Sequence, residues 1–85
     1  MTKLDKLKTR LLQKPKDFTF EELSSLLQKL GYEELKLGKT AGSRVAFYHS
    51  VTSHIIRLHR PHPSNIIKSY LISKLIEELE KEGLL

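Results

Sequence analysis

Ser43-Arg44-Val45-Ala46-Phe47-Tyr48-His49, followed by a polar link and then His54-Ile55-Ile56-Arg57-Leu58, is the stretch that decides the fold. Successive side chains of a strand point to opposite faces. Val45 and Phe47 therefore share one face of the first run, while Arg44, Ala46 and Tyr48 share the other. In the second run Ile56 and Leu58 alternate against Ile55, Arg57 and His59. The link through Val51-Thr52-Ser53 is short, so the two runs form an antiparallel hairpin. If Val45, Phe47, Ile56 and Leu58 face a core, then Arg44, Tyr48, Arg57 and His59 face away from it. In one register of a four-residue loop, Arg44 stands across from His59.

Upstream, Tyr32–Gly38 reads as another strand, with Leu35 and Leu37 on one face. The link from Gly38 through Lys39-Thr40-Ala41 to Gly42-Ser43 is small enough for a phosphate to approach its backbone. It is not a P-loop, because it lacks the upstream glycine and opens no helix. Phe18 to Gly31 reads as a helix. Thr19 and Glu22 make a capping box, Phe18 and Leu23 the accompanying hydrophobic staple. Leu23, Leu26, Leu27 and Leu30 form one apolar stripe, and Gly31 stops it. Before it, Leu4, Leu7, Leu11 and Leu12 lie at helical spacing until Pro15, giving a short helix or arm.

Downstream, His59-Arg60-Pro61-His62-Pro63 reads as a stiff loop with outward side chains, because proline removes a backbone donor and restricts its predecessor. A last helix carries Leu71, Ile72, Leu75, Ile76 and Leu79 and runs to about Lys81. Asn65 or Ser69 caps it, Ser69 being favoured, and Gly83 ends it. The expected fold is α+β with α-β-β-β-α order. A three-stranded antiparallel sheet carries both main helices on one face. Residues 1–15 form an arm or short helix, and 16–85 the domain.

The chain has 85 residues and no cysteine, so disulfides, thiolate metal sites and cysteine nucleophiles are excluded. No apolar run reaches the roughly 20 residues a membrane span needs, and no signal-peptide h-region is present. The expectation is a cytoplasmic protein with no membrane association. Fifteen Lys and Arg against ten Asp and Glu give a net charge of +5. Lys36, Lys39, Arg44, Arg57, Arg60, Lys68 and Lys74 lie in a stretch without a single acid. Such a surface suits phosphate-rich partners.

Cations beside Tyr48 on an open sheet suit RNA, since tyrosine stacks on unpaired bases. Ordinary cross-strand packing on a solvated face is the other reading. His59 and His62 flank Arg60. Histidine moves protons near neutrality and arginine holds a phosphate as its charge develops. The two histidines are also readable as idle loop residues. His49 and His54, at the hairpin tip, read as solvated turn residues. The histidine spacing fits no compact metal site, so no metal is expected, and no cofactor.

Asp17-Phe18-Thr19-Phe20-Glu21-Glu22-Leu23, Leu30-Gly31-Tyr32, Gly42-Ser43-Arg44, the run from Ile55 to Pro63, Leu71-Ile72 with Leu75-Ile76, and Gly83-Leu84-Leu85 together resemble the HicA-like toxins. The resemblance covers roughly Lys16 to the C-terminus. It implies a fold similar to the double-stranded-RNA-binding domain. It further implies a metal-independent endoribonuclease that cleaves mRNA and is neutralised by a HicB-like antitoxin. The family's usual motif is Gly-Ser-His, with the histidine catalytic, and Arg44 stands at that position here. Arginine stays protonated and cannot serve as a general base. One account makes His59 and His62 the catalytic pair, with Lys39, Ser43, Arg44, Tyr48, Arg57, Arg60 and Lys68 binding RNA. The alternative is a non-catalytic RNA-binding or protein-interaction domain.

Overall fold

In the computed structural model, residues 2–35, 44–61 and 64–85 are described. Six elements follow one another: α1 (Lys3–Leu12), α2 (Phe20–Lys29), β1 (Tyr32–Leu35), β2 (Arg44–His49), β3 (Ile55–His59) and α3 (Ser69–Lys81). The sheet is antiparallel in the order β1-β2-β3. From α2 to α3 this is the expected α-β-β-β-α order, and α1 is a third helix added before it.

The α2 start follows from its sequence. The Thr19 hydroxyl accepts from the Glu22 N–H at 3.2 Å, and the Glu22 carboxylate accepts from the Thr19 N–H at 3.1 Å. Phe18 and Leu23 of the staple are both fully buried. Ile67 N–H donates to the Phe18 carbonyl at 2.7 Å, and Phe20 N–H to the Asn65 carbonyl at 2.7 Å. These bonds fasten the segment before α3 to the start of α2.

Of the expected short helix or arm, the structure has the helix α1, opened by a Thr2–Asp5 capping box. Leu11 is fully buried, and Leu4 and Leu7 pack on the core. Arg10 ties α1 to α2. Its Nε donates to Glu22 Oε2 at 2.6 Å and its Nη2 to Asp17 Oδ1 at 3.0 Å. That guanidinium holds the Glu22 carboxyl below its ordinary range, mainly through the hydrogen bond.

At the other end, the cap expected at Ser69 falls one residue earlier. Lys68 is the N-cap of α3 and makes no side-chain capping bond. Asn65 instead donates to Glu21 Oε1 at 2.9 Å. The C-terminus of α3 closes as anticipated. Gly83, at φ +73°, donates to Glu80, and Leu84 donates to Leu79, the paired bonds of a Schellman motif.

The core lies between the helices and one face of the sheet. Val45, Phe47, Ile56 and Leu58 are buried there with Leu23, Leu26, Leu27, Ile72, Leu75 and Leu79. Burial of each such side chain contributes roughly 1.5–3 kcal/mol. The β1 strand is observed to Leu35. The expected continuation to Gly38, with Leu37, lies outside the described residues.

Candidate nucleic-acid interface

Pairing across the sheet fixes which side chains share the open face. Arg44 stands opposite His59, the register expected for a four-residue loop. That loop is closed by His49 N–H donating to the His54 carbonyl at 2.9 Å, with Ser53 at φ +60°. One step along, Ala46 has Leu35 on β1 and Arg57 on β3 as partners. Beyond it, Tyr48 has Glu33 on one side and Ile55 on the other. Arg44, Arg57 and His59 are exposed and Tyr48 is half-buried. Ala46 is buried, a methyl between taller neighbours.

The face is thus divided. Arg44, His59 and Arg57 gather cationic and titratable groups at one end. Tyr48 and Ile55 supply aromatic and apolar surface at the other, with Glu33 beside the tyrosine, and Leu35 lies level with Arg57 across Ala46. Glu33 is the residue that reading the sequence had not singled out. Its signal was available only once the β1–β2 register was known.

Two sequence-based placements change. His59 is the last residue of β3 rather than part of the proline loop, because its backbone still pairs with β2. Arg60 turns to the helix side instead of projecting outward. Its guanidinium lies over the Phe20 ring, 4.8 Å from the centroid, and 3.8 Å from Glu34. It lines a shallow depression with Ser24, Ser25, Gln28 and Asn65, away from the sheet's open face. Lys68, also named as an RNA contact, is exposed at the N-cap of α3. Lys39, Ser43 and His62, also singled out from the sequence, lie outside the described residues.

The remaining histidines are not solvated turn residues. His49 is only 7 % exposed. Its Nδ1 accepts from the N–H groups of Val51 and Thr52 at 3.2 and 3.3 Å. Nε2 must then carry the proton, and it donates to the Leu30 carbonyl at 3.0 Å. His54 Nδ1 lies 2.7 Å from the Tyr32 hydroxyl. Burial, with Glu82 and Glu78 nearby, pushes the Tyr32 phenol up to about 12. These groups hold the hairpin tip on the helices. Among the described residues, no cluster of His, Asp and Glu has the geometry to hold a metal ion.

The fold and this face define a small two-layer α+β domain with an open, partly cationic sheet. Residues 20–81 match the family described as the HicA toxin of bacterial toxin-antitoxin. The chain belongs to that family, whose members are the toxin half of toxin–antitoxin pairs. No curated protein and no solved structure matches the chain. The matched span begins at α2, so α1 lies before it. No helix among the described residues is long and apolar enough to cross a membrane.

Proposed function

We propose that this toxin binds and cleaves mRNA on its open sheet face, and that a HicB-like antitoxin neutralises it by covering that face. The observation that carries this reading is the opposition of Arg44 and His59 across β2 and β3, with Arg57 on the same face. Arg44 and Arg57 neutralise backbone phosphate. His59 is close to any phosphate held by Arg44 and has the chemistry to move a proton there. In the reaction the 2′-oxygen loses its proton and bonds to the neighbouring phosphorus. The bond to the 5′-oxygen breaks, and that oxygen takes up a proton. The products are a 2′,3′-cyclic phosphate and a free 5′-hydroxyl, with no co-reactant. His59 takes the first proton, and His62, three residues on, returns one to the leaving oxygen. Arg44, permanently charged, replaces the family's usual histidine as a phosphate ligand and stabilises the charge in the transition state.

The presence of arginine at that position also favours a second reading, in which the domain binds RNA without cutting it. Incubation of labelled RNA with the protein separates the two. Cleavage is expected to persist in EDTA, to fall by about 10²-fold or more in His59→Ala, and to stop when the antitoxin is added. RNA bound in a salt-sensitive way but recovered intact would support the second reading. Undiminished cleavage in both His59→Ala and His62→Ala would overturn the roles given to the histidines.

A further inference from the structure

We infer that Glu33 and Tyr48 form a base-selecting subsite for an unpaired guanine at the end of the open face away from Arg44. The inference rests on the RNA reading above and supplies a specificity-determining residue for it. Glu33 is the direct cross-strand partner of Tyr48, and Ile55 is its partner on the other side. Directly opposed side chains on one face have Cβ atoms about 4.5–5.5 Å apart. A carboxylate and an aliphatic group therefore flank one phenol ring.

Glu33 differs from its neighbours in what it touches. Glu22 is paired with Arg10, and Glu34 lies near Arg60 on the helix side. Among the described residues, the Glu33 side chain has no hydrogen bond or ion pair, and the residue is exposed. Arg57 sits on β3 opposite Ala46, with β2 between it and Glu33. No described residue thus occupies the Glu33 carboxylate.

Its chemistry limits what that ligand presents. A carboxylate only accepts hydrogen bonds, and its charge repels the RNA backbone. Phosphate therefore belongs at the Arg44 end and a base at the Glu33 end. Four residue steps along β2 separate Arg44 from Tyr48, about 14 Å at the rise of a strand. The selected base is thus not the one next to the phosphate held by Arg44. A base lying on Tyr48 turns an edge toward Glu33. Guanine has two adjacent donors on its Watson–Crick edge, N1–H and N2–H, which match the two carboxylate oxygens. Adenine and cytosine each offer an amino group beside an acceptor nitrogen. Uracil offers one N–H between two carbonyls. Only guanine satisfies both oxygens without setting an acceptor against them.

The test uses 2′-O-methyl oligouridines, which cannot be cut by 2′-hydroxyl attack, each with a single guanosine, adenosine or cytidine at successive positions. Binding is read by fluorescence anisotropy with the full chain. Guanosine at one position is expected to improve affinity by about tenfold, the size of a good bidentate contact. Glu33→Ala and Glu33→Gln are expected to erase that ratio, and Glu33→Ala to raise affinity for the other oligonucleotides. Tyr48→Phe keeps the preference, whereas Tyr48→Ala weakens binding of all bases. A wild-type protein that binds every oligonucleotide equally overturns the subsite and leaves the RNA reading standing. So does a Glu33→Ala protein that binds all of them more tightly with the guanine ratio intact, because charge alone then explains the effect. A wild-type protein that binds none of these oligonucleotides, and no natural RNA, overturns the RNA reading and the subsite together.

Discussion

His49 fills the space that a side chain on Gly31 would need: its Nε2 lies 2.7 Å from the position of a Cβ there. Gly31 also has φ +104°, a region that L residues rarely adopt. Two requirements therefore meet at one glycine, a left-handed helix stop and a close approach by a buried imidazole. That imidazole cannot move away freely, because three backbone groups hold it. Gly31→Ala is expected to lower stability by about 2 kcal/mol or more, from backbone strain and displacement of His49. Gly83 is the control. A Cβ there meets nothing within 4 Å, so Gly83→Ala should cost only about 1 kcal/mol, the penalty of its left-handed backbone. Urea unfolding of both variants checks the difference. Equal losses would mean that His49 does not constrain the position.

Tyr32 lies beneath the same hairpin, 1 % exposed, with its hydroxyl 2.7 Å from His54 Nδ1. Burial raises its pKa from 10.0 to about 12, with Glu82 and Glu78 adding to the effect. A raised phenol pKa means that the folded state holds the proton more tightly than the unfolded chain does. The associated stability is therefore complete below pH 10 and is lost as pH rises from 10 to about 12. Tyr32→Phe cannot ionise. It should cost about 1 kcal/mol at neutral pH through the lost hydrogen bond and should flatten the decline of stability above pH 10. An alkaline unfolding curve of unchanged shape in the variant would rule Tyr32 out as the group responsible.

The contrast between α2 and the hairpin tip explains what the sequence could reveal. The Thr19–Glu22 box, the leucine stripe and the alternation of β2 and β3 are local patterns, and periodicity records them directly. The Arg44–His59 register was also accessible, because loop length and parity together constrain it. For His49 and His54 a turn position suggests solvent. Their burial comes from Leu30, Gly31 and Tyr32, residues about twenty positions away. Arg60 departs from its sequence expectation for a similar reason. Its neighbours in sequence are prolines, but Phe20 and Glu34, which attract it, lie on α2 and β1. Ser69 met the compositional rule for a cap, yet the tethering of Ile67 to Phe18 sets where α3 begins. Glu33 had no sequence signal at all, since its place beside Tyr48 arises from strand pairing.

Leu11 tests whether α1, which lies before the family span, is part of the folding unit. It is fully buried among the core residues, although a short helix spacing alone did not require it to pack. Leu11→Ala should destabilise the whole domain by about 2–5 kcal/mol, in a single cooperative transition followed by both helical and tyrosine signals. A loss below about 1 kcal/mol, or melting of helix without change at the tyrosines, would make α1 a separable arm.

Arg44 and Arg57 make the RNA reading quantitative. Both are exposed on the open face, one opposite His59 and the other opposite Ala46. If each neutralises one phosphate, each releases counterions from a single-stranded RNA on binding. Arg44→Gln and Arg57→Gln should then each reduce the slope of log affinity against log salt by about 0.7. The weakening should be similar across sequences, because a phosphate contact carries no base information. Arg60→Gln supplies an internal comparison. With its guanidinium over Phe20 on the helix side, it should leave the salt slope nearly unchanged. Salt titrations of the three variants against one oligonucleotide make the measurement. A slope that falls with Arg60→Gln and not with Arg44→Gln or Arg57→Gln would move the RNA path off the open sheet and onto the helical side, and the role proposed for His59 would go with it.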